Sequence, residues 1–328
     1  MRIAMSILVA ACGGSGSGST DANEPDAPSA SVGCAAASML PPGQAVARTI
    51  TVGGRTRTYR VRLPSTYAGQ PTPVVFALHG GFGSGEQIET SQAGFDPIAD
   101  REGFAMIYPD GIPRDETATG PLAQARTWNG GTCCGPAVEQ NVDDVGFLTA
   151  VLDEVEADAC IDLDRVFSTG MSNGAIMSYR FACERADRIA AIAPVAGSML
   201  FPACAPSRQV PLFHVHGTLD GNVPYDGGTG CGVGMVVTAP IPEVVASWAV
   251  RNECAGPPST VFTEGNGTCV SSGGCAAETV LCSIDGGNHS WPGGEGNNGA
   301  GACGTGTVSA TFHASEAIWS FFRAHPRY

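Results

Sequence analysis

Lysine is missing from all 328 residues, so every one of the 17 basic side chains is an arginine. That absence removes Schiff-base chemistry and a lysine general base from consideration. Against 31 acidic residues the arginines leave a net charge of −14, and they form no basic stripe along the chain. A surface that tracks nucleic-acid phosphates needs such a stripe, so nucleic acid is not an expected partner. Long apolar runs are missing as well. The run at the N-terminus, Ile3 to Ala11, falls well short of the roughly 20 residues that span a bilayer as a helix. Zinc-type cysteine spacing is also lacking: the tight pair Cys133-Cys134 is adjacent rather than two apart. No metal and no organic cofactor is called for.

What is present points to export. "MRIAMSILVAAC" opens on an arginine, continues apolar and ends on Cys12, and its "LVAAC" resembles a bacterial lipobox. Residues 1–12 are therefore expected to be a lipoprotein-type signal peptide, with a lipid anchor possible at Cys12 and a secreted or cell-envelope location. Residues 13–44, rich in Gly, Ser, Pro and Ala, read as a flexible tether. Apart from Cys12 there are twelve cysteines, an even number that in an exported chain suggests disulfides of unknown connectivity. The Gly-rich loops at 226–234 and 293–306 are candidates to be held by Cys231 and Cys303. With 43% hydrophobic residues, 45–328 is long enough for one large domain, expected to be a monomer.

Within that domain, 45–64 alternates apolar and polar residues about Gly53-Gly54, a hairpin signal. Short, continuously apolar runs at 73–81, 104–111, 165–170, 189–197 and 210–217 read as buried strands, and 260–265 and 278–287 as further strands. Helical spacing occupies 86–101, 143–159, 175–185, 242–252 and 309–325, with Asp143 or Asp144 as an N-cap. A hairpin followed by alternating strands and helices gives an α/β fold: a mostly parallel sheet with helices on both faces and an antiparallel hairpin at the N-terminal side. Functional groups in such sheets collect beyond the carboxyl ends of the strands.

One serine sits at such an end. In "RVFSTGMSNGAIMSYRFA", Ser172 stands where strand becomes helix, with Gly170 and Gly174 two residues away on each side. A sharp turn of this kind lifts the hydroxyl above the sheet and lets strand and helix approach closely. A serine nucleophile needs an imidazole base. His289, in the glycine-flanked loop after the last strand, is preferred; His79, His214, His216, His313 and His325 are placed as support, core or tail, His216 being the most tempting of them. The imidazole needs a carboxylate to orient it. Asp220, just past the 210–217 strand, is preferred to Asp226 and Asp285. The oxyanion formed on attack needs two N–H donors, expected from Asn173 and from Gly81, with Phe82 as second choice for the latter. Trp128 and Trp291 are candidate substrate-stacking residues beside this site.

At these residues a family resemblance emerges. "LHGG", "WNGGTCCG", "NVDDVGFL", the segment 165–197, "HGTLDGNVPYDGG" and "GGNHSWPGG" resemble the secreted polyhydroxybutyrate depolymerase, feruloyl esterase and acetylxylan esterase group of α/β-hydrolases, over about residues 45–325. The order Ser…Asp…His is that of the α/β-hydrolases. The resemblance implies an α/β-hydrolase fold, Ser172, Asp220 and His289 as the triad, and hydrolysis of esters on a polymer or its oligomers through an acyl-enzyme. The family's frequent "GGGH" is "GGNH" here, which would let the Asn288 side chain narrow the approach to His289. The rival functions are a catalytically silent surface binding protein on the same fold and a serine peptidase.

Overall fold

A computed structural model describes residues 29–327 except 116, 118, 119, 121–123, 233, 234, 236 and 295–302. The expected signal segment 1–12 with Cys12, and the tether as far as residue 28, lie outside the described residues. Fourteen strands follow in chain order: β1 (Ala45–Val52), β2 (Arg55–Arg62), β3 (Thr72–Leu78), β4 (Ala105–Pro109), β5 (Ile112–Pro113), β6 (Arg126–Thr127), β7 (Ile161–Met171), β8 (Ala191–Val195), β9 (Leu212–Gly217), β10 (Gly228–Thr229), β11 (Val237–Thr238), β12 (Ser259–Glu264), β13 (Gly267–Ser271) and β14 (Thr279–Ile284). The helices are α1 (Gly85–Gln87), α2 (Asp96–Glu102), α3 (Gly135–Glu139), α4 (Asp144–Asp158), α5 (Asn173–Glu184), α6 (Ile241–Arg251) and α7 (Ala314–Ala324).

The alternating pattern about Gly53-Gly54 produces the β1–β2 hairpin, in register from Ala45–Arg62 to Val52–Arg55. Ten strands then form one sheet in the order β1-β2-β4-β3-β7-β8-β9-β14-β13-β12. Its centre, β4-β3-β7-β8-β9-β14, is parallel, and both edges are antiparallel. The continuously apolar strands are the central ones because helices cover both of their faces. On β3, Val74, Phe76 and Leu78 join the core beneath α4, α5 and α6, whereas Val75 and Ala77 join the core shared with α2 and α7. The period of two in side-chain direction thus divides one strand between two cores.

Three expectations change. The helix read over 86–101 is broken into α1, a π-helical turn Ile88–Ala93 and α2, because Gly94 turns left-handed (φ 61°) and a proline in the first turn restarts the helix. The main sheet gains one strand, β13, which pairs with β12 through the turn at Gly265-Asn266, and two small two-stranded ribbons, β5–β6 and β10–β11, lie outside it. Residues 29–44, assigned by composition to the tether, are docked instead. Ser31 Oγ donates to the Ala159 carbonyl at 2.8 Å and accepts from the Ile161 amide at 2.9 Å, Leu40 is buried, and Cys34 is bonded to Cys160.

The other disulfides join Cys133–Cys134, Cys183–Cys204, Cys231–Cys303, Cys254–Cys275 and Cys269–Cys282. Cys269 and Cys282 face each other in the β13–β14 register. Cys231 and Cys303, the candidates to hold the two Gly-rich loops, are bonded to each other.

Of the two aspartates offered as the α4 cap, Asp143 is the N-cap and accepts from the Gly146 amide at 2.8 Å. Asp144 is buried one residue further on. It accepts from Arg57 Nη2 at 2.8 Å and from the Asn129 amide at 2.7 Å. Burial raises its pKa against these partners. The two carboxylates therefore differ in consequence. Asp143→Ala should cost about 1 kcal/mol, the usual loss of a cap. Asp144→Ala strands a buried guanidinium and should cost about 3–5 kcal/mol. Equilibrium urea unfolding of the two variants checks the ordering, and equal losses would contradict it.

Candidate active site

The site begins with a steric fit. A Cβ on Gly170 would stand 2.6 Å from the Leu78 carbonyl oxygen, and one on Gly174 would strike that same oxygen and lie 2.5 Å from the His79 carbonyl. Only glycine at both positions lets β7 and the start of α5 pack against the end of β3. The turn between them holds Ser172 at φ 54°, ψ −117°, a conformation L-residues rarely adopt. Its amide donates to the Val195 carbonyl at 2.9 Å, which fixes the turn to β8.

Beside Ser172, the Asn173 side chain is locked in place. Its Oδ1 accepts from the Trp128 amide at 2.7 Å and its Nδ2 donates to the Trp128 carbonyl at 3.0 Å. Trp128 donates through Nε1 to the His79 carbonyl at 3.0 Å. His79 in turn accepts at Nε2 from the Gly111 amide (2.9 Å), which leaves Nδ1 to donate to the Gly80 carbonyl (2.7 Å). Burial lowers the pKa of His79 to about 4, so the ring is neutral, as this pattern requires. Strand end, Gly80-Gly81 turn and helix start are thereby joined in one hydrogen-bonded unit. The Phe82 amide is already committed to the Arg126 carbonyl at 2.8 Å, which removes the second-choice oxyanion donor.

At the next strand ends, Asp220 follows β9 and His289 follows β14, which are parallel neighbours. Asp220 is buried. Its Oδ1 accepts from the Asn222 and Val223 amides at 2.8 and 2.9 Å, and its Oδ2 lies 2.8 Å from His289 Nδ1. Burial opposes ionisation of this carboxyl, but the facing His289 and the hydrogen bonds from His216 and His289 outweigh it and hold its pKa well below the usual range. Asp226 and Asp285 are not the partners of His289.

Ser172, Asn173, Gly81 and His289 all line one cavity of about 670 Å³. The wall also contains Phe82, Met235, Gln92 and Arg114, and the Cys134 end of the adjacent-cysteine bridge. A cavity of this size suits a small organic group.

Both tryptophan expectations are overturned. Trp128 is fully buried, stacks on Phe147 and serves as a support for Asn173. Trp291 is fully buried too, with Nε1 donating to Ser315 Oγ at 2.9 Å and its ring edge-on to Phe95. Neither lines the cavity; the indole N–H of each found a partner inside the protein. Asn288 is likewise outside the cavity wall, so it does not narrow the approach to His289. The aromatic ring at the cavity is Phe82, 53% exposed, which sequence reading weighed only as an amide. Gln92 was also missed. It is buried in the π-helical turn with its Oε1 unpartnered, and π-helical turns are frequent at functional sites.

The chain is similar to known esterases. A family model described as esterase PHB depolymerase matches residues 57–208. Feruloyl esterase B of Piromyces equi is 34% identical over 243 residues, 70% of this chain and 42% of that protein. The bifunctional acetylxylan esterase/xylanase XynS20E of Neocallimastix patriciarum is 31% identical over 172 residues, 52% of this chain and 22% of that protein. The chain thus spans less than half the length of either relative. The solved structure of a ferulic acid esterase from Anaeromyces mucronatus, in complex with ferulic acid, aligns with a TM-score of 0.52 at 16% identity, covering 86% of this chain and 90% of that one. The shared architecture is the α/β-hydrolase fold.

Two predictions follow from the geometry alone. Gly174→Ala drives a methyl group into backbone and should lower stability by about 1–3 kcal/mol, read as a reduced denaturation midpoint. An unchanged midpoint would contradict the close approach. Asp220, with its pKa depressed on folding, contributes stability that is present above the unfolded carboxyl value of about 4 and is lost as pH falls below it. The unfolding free-energy gap between wild type and Asp220→Asn should therefore be wide near neutrality and shrink in acid. A gap that widened in acid would contradict the assignment.

Proposed function

We propose that this chain, which is similar to polyhydroxybutyrate depolymerase-type, feruloyl and acetylxylan esterases, is an extracytoplasmic serine esterase acting on carboxylic esters of a polymer or its oligomers. The observation that carries this reading is the buried Asp220 held 2.8 Å from His289 Nδ1, with His289 and Ser172 lining the same cavity. Asp220 keeps the imidazole in the tautomer with Nδ1 protonated, which leaves Nε2 free as a base. Nε2 takes the proton from Ser172 as its oxygen attacks the ester carbonyl. The amides of Asn173 and Gly81 hold the oxyanion, each contributing a few kcal/mol to the barrier reduction. The alcohol leaves with the proton from His289. Water, activated by the same imidazole, then releases the acid and restores Ser172.

The six disulfides support an oxidising, extracytoplasmic setting. Phe82 and Met235, both exposed at the cavity, offer an apolar surface to the acyl group or to the chain that carries it. The feruloyl and acetylxylan esterases among this chain's relatives favour feruloyl and acetyl esters of polysaccharide; the family model favours hydroxyalkanoate polyester.

The test is hydrolysis by the protein without residues 1–28, wild type beside Ser172→Ala. The panel holds p-nitrophenyl butyrate, methyl ferulate, acetylated xylan and a polyhydroxybutyrate suspension. Turnover of at least one ester is expected, falling by about 10⁴-fold or more in Ser172→Ala while the thermal midpoint stays within a degree or two. Full turnover in the variant, or none in folded wild type, would overturn the reading.

A further inference from the structure

Strand β9 carries His214 and His216 two positions apart, hence on the same face, toward α5. Both are buried, and their rings stack with centroids 5.3 Å apart and planes 6° from parallel. His214 Nε2 lies 3.0 Å from His216 Nδ1. Tyr179, from α5, places its hydroxyl 2.8 Å from His214 Nδ1. At the other end, His216 Nε2 is 2.8 Å from the Val223 carbonyl and 3.3 Å from Asp220 Oδ2. Four side chains thus form a continuous line from the interior of the sheet–helix layer to the carboxylate that faces His289.

The positions of the protons follow from donor and acceptor chemistry. A carbonyl and a carboxylate only accept, so His216 Nε2 carries hydrogen. Where Nε2 holds the single hydrogen of that ring, Nδ1 accepts and His214 Nε2 donates. His214 is kept neutral by burial. Its Nδ1 therefore accepts, and the donor there is the Tyr179 hydroxyl, which burial holds protonated. Every bond in the line points the same way, and bonds so aligned polarise one another. The other titratable groups facing His216 are His289 through Asp220 and Tyr225, whose ring sits edge-on at 6.1 Å and whose hydroxyl pairs with Ser283 Oγ on β14.

We propose that Tyr179, His214 and His216 form a one-way hydrogen-bond chain that ends at the Val223 carbonyl with its last N–H beside Asp220 Oδ2, and that His216 is a positioning residue for hydrolysis at Ser172. The proposal rests on the esterase reading above. Donation from His216 holds Asp220 against rotation and draws off part of its negative charge. Without it, Asp220 would be a stronger partner for the His289 cation, so the imidazole would stay protonated to higher pH.

Two measurements test the chain. The first uses ¹⁵N-histidine-labelled protein, with ring signals assigned by loss in His214→Gln and His216→Gln. Both rings should carry hydrogen on Nε2 and none on Nδ1, as the direction of the chain requires. An Nδ1–H tautomer or a cation at either ring would mean the chain runs otherwise, and would overturn it. The second is the pH dependence of kcat and KM. His216→Leu should lower kcat by about ten- to a hundredfold, the equivalent of one lost charge-assisted hydrogen bond, with KM little changed and the acid limb moved to higher pH. His216→Gln, which keeps an N–H at the Nε2 end, should recover most of both. Tyr179→Phe removes only the far hydroxyl; it should move the acid limb the same way by less, and it decides the matter with the tautomer spectrum if His216→Leu fails to fold. If Ser172→Ala is silent but folded His216→Leu keeps the wild-type kcat and acid limb, the chain assignment alone has failed. If Ser172→Ala retains turnover, the esterase reading has failed and the proposal falls with it.

Discussion

At the end of β3 the carbonyls of Leu78 and His79 sit so close to Gly170 and Gly174 that no side chain fits between them. From this approach follow the sharp turn at Ser172, the start of α5 beside the Gly80-Gly81 turn, and the placing of Ser172, Asn173 and Gly81 on one cavity. The neighbouring buttress extends the same constraint. Asn173 is clamped by the Trp128 backbone, Trp128 is tied to His79, and the following Asn129 amide is held by the buried Asp144–Arg57 pair. A rigid frame of this kind places donors before the reacting group arrives, which is what oxyanion stabilisation requires.

The second half of the site depends on loops, and loops need restraint to serve as precise supports. Asp220 and His289 leave adjacent parallel strands, so the sheet sets their separation. Their loops are then linked through Cys231–Cys303. Gly221, next to Asp220, packs against Cys231 Sγ and the Cys303 carbonyl, 2.9 Å from where its Cβ would be. The carboxylate is further fixed by two backbone amides and by His216. A charge buried this deeply is stable only when its acceptor sites are filled, and here both oxygens are engaged.

Sequence reading located the architecture well because the determining signals are local. Continuous apolar runs mark strands covered on both faces, and a serine between glycines at a strand–helix junction marks a turn with a steric reason to exist. Side-chain direction was not legible. Trp291 stands two residues from His289 and Trp128 next to the Gly-rich loop, yet both turn inward, since proximity in sequence does not say which way an indole points. Phe82, at φ 68°, faces the cavity for a backbone reason that no pattern announces. The tether boundary was misplaced because Ser, Ala and Pro composition does not reveal that Ser31 and Cys34 have partners 126 or more residues away. Cysteine pairing is a property of the folded chain, and none of the links was legible, although Cys231 and Cys303 stood out as anchors of their two loops. The Tyr179–His214–His216 line was hidden for the same reason: one strand and one helix must be stacked before it exists.

The central claim is that Ser172 is the one activated serine of this frame. Its most direct test is intact-mass analysis after treatment with a fluorophosphonate, followed by mapping of the modified peptide. The account predicts a single adduct, on Ser172 within residues 165–182, that forms in wild type and is absent in Ser172→Ala. A folded wild-type protein that takes no label, or takes it on another residue, would contradict the account.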